Sequence, residues 1–89
     1  MKSSVTRAFR ERLARLPGDV QDQATRAYAL WRSNPQHPGP QFKRVSQSQP
    51  IYSVRIDIGY RALGLRDGDH VSWFWIGSHA EYDDLLKRL

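Results

Sequence analysis

The sequence predicts an α+β domain: two N-terminal helices forming a hairpin, packed on a small antiparallel β-sheet, with a short C-terminal helix. Three observations lead there. Apolar residues recur at helical spacing up to residue 33. From residue 51 they alternate at the period of a strand. Between the two regimes, Asn34 to Pro40 holds three prolines and a glycine, which no helix or strand crosses.

Val5, Phe9, Leu13 and Leu16 form the apolar stripe of a first helix over residues 4–16, with Arg7, Arg10, Arg12 and Arg15 on its other faces. On this reading no strand precedes it unless Met1–Val5 is extended. Pro17-Gly18 ends the helix. Asp19 is placed to cap a second helix over residues 20–33, whose stripe is Val20, Ala24, Ala27, Tyr28 and Trp31. After the connector, Phe42–Val45 reads as a short strand and the polar Ser46–Pro50 as a turn. Ile51–Asp57 alternates cleanly. Tyr60–Arg66 and His70–Ile76 are the next strands, and His79–Leu89 is a terminal helix.

The turns set an expected register. Two-residue loops at Ile58-Gly59 and Asp67-Gly68 would put Val54 opposite Leu63 and Arg61 opposite Phe74. Tyr52, Val54, Ile56, Leu63, Leu65, Phe74 and Ile76 would then share the face that buries the hairpin. Trp73 and Trp75 would share the other face with Arg55, Asp57 and Tyr60. A slip of one residue at either turn exchanges the faces.

The chain has 89 residues, which fits one domain over residues 1–89 with a modest core. So small a fold favours an open groove covered by a large partner over an enclosed substrate cavity. With no cysteine, disulfides, thiolate nucleophiles and cysteine zinc sites are excluded, and a reducing cytoplasmic location is expected. No apolar run reaches membrane-spanning length, and the N-terminus does not read as a signal peptide. His37, His70 and His79 have no metal-ligand spacing. The net charge is +5, and eleven of the fourteen basic residues are Arg, the side chain suited to bidentate phosphate contact. Residues 35–66 carry five basic groups against Asp57 alone, whereas residues 67–89 carry two basic and five acidic groups. A basic body points to a polyanionic partner, nucleic acid first; the alternative is an ordinary basic soluble domain.

The order of three segments is similar to a known family. Tyr52-Ser53-Val54-Arg55-Ile56 is followed by Gly59-Tyr60-Arg61-Ala62-Leu63, then by Ile76-Gly77-Ser78-His79-Ala80-Glu81-Tyr82. Together with the hairpin and connector, this resembles the RelE/ParE superfamily of bacterial toxins from type II toxin–antitoxin pairs, over roughly residues 5–86. The resemblance implies a small antiparallel sheet packed by helices and a cognate antitoxin as partner. It leaves open a non-catalytic RNA-binding or interaction module of the same fold, and otherwise implies one of two activities: ribosome-dependent cleavage of mRNA, or non-nucleolytic poisoning of DNA gyrase. Neither needs a cofactor here. The chain departs from the family pattern at Ser53, where Arg or Lys is common, and at His79, near a position often held by Arg.

On that resemblance, Arg55, Arg61, His79 and Tyr82 are the candidate catalytic residues. RNA transesterification needs a base for the 2′-OH, an acid for the 5′-oxygen and cations on the phosphorane. Arg55 and Arg61 suit the cation role; alternatively each is a sheet-surface charge, with Arg55 paired to Asp57. His79 is of the residue type that exchanges protons near neutral pH; alternatively it is a polar opener of the last helix. Tyr82 stacks on a base or orients a phosphate, or else anchors that helix. Lys43 and Arg44 are candidates for nucleic-acid backbone contact, or a solvated pair. Trp73 and Trp75 stack on bases, or belong to the core or an antitoxin interface. The arginines of the first helix bind ribosomal RNA or an acidic antitoxin, or are a solvated face.

Overall fold

The computed structural model describes residues 1–89. The chain runs β1 (Lys2–Val5), α1 (Arg7–Ala14), α2 (Gly18–Ser33), β2 (Lys43–Arg44), β3 (Ile51–Asp57), β4 (Tyr60–Asp67), β5 (His70–Ser78) and α3 (His79–Arg88). The five strands form one sheet in the order β1-β5-β4-β3-β2. Strands β2 to β5 are antiparallel, as the alternation and tight turns predict. No helix is long and apolar enough to cross a membrane.

The N-terminus corrects the sequence reading. Residues 2–5 are a strand, parallel to β5, with Lys2 opposite His70 and Val5 opposite Trp73. The sheet is therefore mixed. The first helix begins only after Thr6, whose hydroxyl accepts from the Phe9 amide at 3.1 Å. Val5 continues the helical stripe in sequence, which is why it reads as helix, yet it packs on the core from a strand. Asp19 is not the cap of the second helix. Pro17 takes that position without a side-chain bond, and Asp19 lies in the first turn, where its charge meets the positive end of the helix.

The sheet is covered on both faces. The hairpin α1–α2 packs on one through Ala24, Trp31, Val54, Ala62, Val71, Trp73 and Ile76, supported by Phe9, Leu13 and Leu16. On the other, α3 packs through Tyr82 onto Ile51 and Leu63, supported by Phe74, Trp75, Leu85 and Leu86. Trp31 and Trp73 meet edge to face, with ring centres 5.2 Å apart. Their buried indole N–H groups donate to no protein acceptor, so each carries a desolvation cost of roughly 1–3 kcal/mol against the apolar area it buries.

Two bulges decide which residue meets which helix. Asp57 pairs with Tyr60 across the Ile58-Gly59 turn, as expected, but Ile56 is left unpaired and Arg55 pairs with Arg61. Val54 therefore opposes Ala62, and Ser53 opposes Leu63. In β5, Phe74 is left out: Trp73 opposes Gly64 while Trp75 opposes Leu63. The second turn is also displaced by one residue, since Asp67 pairs with His70 and the loop is Gly68-Asp69, with Gly68 at φ +59°. Leu63 and Phe74 thus face α3 rather than the hairpin, and Trp73 and Trp75 lie on opposite faces, not one.

Gly64 is the residue that admits Trp73. A β-carbon there would lie 2.5 Å from Val71 Cγ1 and 2.7 Å from Trp73 Cε3. Gly64→Ala is expected to destabilise the fold by about 1–3 kcal/mol through overpacking, read as a lower urea midpoint. An unchanged midpoint would show that the indole has room to move.

Candidate active site

The site lies where the β3–β4 turn meets the start of α3. Ser78 caps the helix: its hydroxyl accepts from the Glu81 amide at 3.2 Å, and Glu81 Oε1 accepts from the Ser78 amide at 3.1 Å. This reciprocal capping box satisfies two otherwise orphaned donors. The Ser78 amide, then its hydroxyl, then the Arg12 guanidinium hold the Glu81 carboxyl below its ordinary range. The first residue of the helix, His79, donates its amide to Gly59 O at 2.8 Å, which fixes α3 to the turn.

The His79 ring is half exposed. Its Nδ1 lies 3.0 Å from Asp83 Oδ2, one helical turn on. In the neutral tautomer with Nδ1–H donating to Asp83, Nε2 is free to accept a proton; in the charged form it donates one. Tyr82 stands edge-on to this ring at 5.8 Å. Its own ring is buried, and its hydroxyl donates to Ser53 Oγ at 3.2 Å. Tyr82 therefore offers no open face for a base to stack on. It anchors α3 and bears on His79 from the side.

Arg61 organises the turn. Its NH1 donates to Asp57 O at 2.6 Å, Tyr60 O at 2.9 Å and Ile58 O at 3.4 Å. Its Nε and NH2 have no protein acceptor. Arg55 faces it directly across β3–β4 and makes no side-chain hydrogen bond or ion pair. The local pairing of Arg55 with Asp57 does not form, because Asp57 Oδ1 accepts from the Gly59 amide at 2.8 Å within the turn. Like charges directly opposite across a sheet are destabilising, by an amount comparable to the roughly 0.2–1 kcal/mol that favourable cross-strand pairs contribute. Two half-buried guanidiniums without a carboxylate form a ready seat for an anion.

Strand alternation places both arginines on the face of Ser53, Leu63 and α3. Lys43 opposes Ser53, so it stands on the same face one step along, exposed and unpaired. Arg44 opposes Tyr52 and goes to the other face, where its Nε donates to Ser46 O at 2.7 Å. The adjacent basic pair is thus split. Arg55 and Arg61 oppose each other at the turn end of the sheet, His79 opens the helix bonded to that turn, Tyr82 packs beside His79, Lys43 lies further along the same sheet face, and Arg44 braces its own loop.

Four contributors escaped the sequence reading. Ser78 and Glu81 carry the Ser-x-x-Glu signature of a capping box, so that signal was present. Asp83 lies at i+4 from His79. Arg12 reaches the site from α1 across more than sixty residues of sequence and had no local mark.

A sheet of this order, with a helical hairpin on one face and a C-terminal helix opening beside sheet arginines, is similar in fold to RelE toxins. Residues 18–84 match the model of the ParE-like toxin domain, and the chain belongs to that family. Among solved structures it is similar to a chain of the RelB–RelE antitoxin–toxin complex from Methanococcus jannaschii: TM-score 0.73, 16% identity, covering 91% of this chain and 95% of that one. It is also similar to YafQ from E. coli, with TM-score 0.71, 8% identity and coverage of 91% and 96%. The isolated E. coli RelE toxin superposes with TM-score 0.65 at 15% identity, covering 98% and 96%. No curated protein matches the chain by sequence.

The capping box gives this end of the molecule a pH dependence. Because the folded carboxyl of Glu81 lies below its ordinary value of 4.5, its contribution is complete above that pH and is lost as pH falls through the lower folded value. Urea unfolding at pH 6 and pH 3 is expected to show a larger acid loss in the wild type than in Glu81→Gln. Equal losses would remove Glu81 from the acid response.

Proposed function

We propose that the chain is the toxin of a toxin–antitoxin pair and acts in the cytoplasm as a ribosome-dependent mRNA endonuclease. The observation that carries this reading is the opposed pair Arg55–Arg61, without a carboxylate partner, beside His79. In transesterification the 2′-oxygen attacks phosphorus, the bond to the 5′-oxygen breaks, and charge grows on the phosphorane oxygens. Arg55, with the free Nε and NH2 of Arg61, suits that charge. The Nε2 atom of His79, with Nδ1 held by Asp83, suits proton transfer at one of the two oxygens. Lys43, and Arg44 if it leaves its loop, suit the flanking RNA backbone. This residue set calls for no metal. An acidic or amphipathic antitoxin segment suits the same basic surface. Similar folds occur in the RelB–RelE complex of Methanococcus jannaschii and in the RelE–RelB complex of Pyrococcus horikoshii, which supports such a partner.

A second reading, binding and poisoning of DNA gyrase without cleavage, draws on another observation. The three carbonyl bonds of Arg61 NH1 and the burial of Tyr82 are also what purely structural residues would show.

Primer-extension mapping of mRNA ends on programmed ribosomes, with gyrase supercoiling assayed in parallel, separates the two. Arg55→Ala is the clean variant, since it breaks no bond within the protein; it is expected to lower cleavage roughly 10²–10³-fold. Arg61→Ala should lose at least as much, with some loss of turn stability. His79→Ala should lose about 10²–10⁴-fold and flatten the pH–rate profile near neutrality. Wild-type cleavage rates in Arg55→Ala and His79→Ala would defeat the endonuclease reading. Gyrase inhibition by a wild type that cleaves nothing would establish the second.

A further inference from the structure

Strand β1 protects the outer edge of β5 only as far as Trp73. Beyond that point the edge would be bare, and Arg12 of α1 covers it. Its Nε donates to Ile76 O at 2.7 Å. Its NH2 donates to Glu81 Oε2 at 3.2 Å. Its guanidinium lies over the Trp75 ring, 5.0 Å from the ring centre. The fit is close enough to require glycine beneath it: a β-carbon on Gly77 would lie 3.0 Å from Arg12 NH2 and 2.5 Å from Trp75 Cζ2. Far from being part of a solvated arginine face, Arg12 joins α1, β5 and α3 at one point.

That point is the first turn of α3. Tyr82, Leu85 and Leu86 press the helix onto the sheet, but apolar contact is non-directional and leaves slide and rotation loosely set. The planar fork of Arg12 is directional, with its donors fixed toward a strand carbonyl and a helix carboxylate. Glu81 is in turn bonded to Ser78, the residue before His79. We propose that Arg12 is a positioning residue: it fixes the first turn of α3 against β5 and thereby sets the His79 imidazole beside Arg55 and Arg61. The proposal rests on the reading in which His79 transfers a proton. Misplacing such a group by about 1 Å can cost about 10²-fold in rate.

The test uses Arg12→Gln, Arg12→Lys and Glu81→Gln in the full chain. In Arg12→Gln, kcat for ribosome-dependent cleavage should fall roughly tenfold or more while KM for the programmed ribosome stays within about twofold, since the lost interaction acts on the reacting geometry rather than on uniform binding. In a His79→Ala background the same substitution should cost nothing further, because the two act through one group. An additive loss there overturns the proposal. A second arm needs no RNA. The His79 Cε1–H resonance should move in Arg12→Gln and Glu81→Gln and stay in place in Arg7→Gln, whose ion pair with Glu11 is confined to α1. An unmoved resonance in folded Arg12→Gln also overturns it. Should Arg12→Gln fail to fold, Arg12→Lys and Glu81→Gln decide by the same two readouts. If the wild type cleaves no RNA, the endonuclease reading falls, and the imidazole resonance alone decides the positioning.

Discussion

Because Phe74 stands unpaired in β5, the two indoles flanking it lie on opposite faces of the sheet. Trp73 goes to the hairpin, where it meets Trp31 over the space left by Gly64. Trp75 goes toward α3, where it underlies the Arg12 guanidinium. Remove the extra residue and every side chain beyond it in β5 changes face. The hairpin core and the seat of α3 cannot both form without it. The unpaired Ile56 does the same for β3, and the consequence is chemical: it sets Arg55 opposite Arg61 instead of leaving Ile56 there. A bulge beside a functional site commonly re-aims side chains in this way.

What was legible in the sequence followed the range of the forces involved. The helical hairpin, the Ile58-Gly59 turn and the start of α3 at His79 rest on chemistry within a few residues, and each was readable. Strand β1 was not. Lys2-Ser3-Ser4-Val5 has no strong preference, and its partner begins at His70. Neither bulge was readable, because Tyr52, Val54 and Ile56 alternate without a break while the pairing skips beneath them. Of the candidate residues, Arg55 and Arg61 pair across β3–β4 and the His79 amide bonds to the turn joining those strands; the sequence carried the turn but not the pairing. Tyr82 was legible as an aromatic at the right spacing, but only packing shows it buried. Arg12 carries no signal apart from being one arginine among several.

The charge pattern divides by role once the partners are known. Arg7 and Arg12 meet carboxylates, the latter at the base of α3. Arg61 gives one nitrogen to the turn and keeps the rest, and Arg55 keeps all of its donors. A pair of cations left opposed on a sheet is a local cost that the fold carries without internal compensation. The three carbonyl bonds of Arg61 NH1 hold that guanidinium at the turn, while the Arg55 guanidinium is tied to no protein group.

The parallel pairing of β1 with β5 bears on how the molecule comes into being. A chain made from its N-terminus exposes Lys2–Val5 first, yet the only strand that pairs with it ends at Ser78. Such distant contacts carry a large loop-closure cost and form late. The Arg55–Arg61 pair needs β4, and His79 follows β5, so these three residues take their places only once β3, β4, β5 and the start of α3 have all been made.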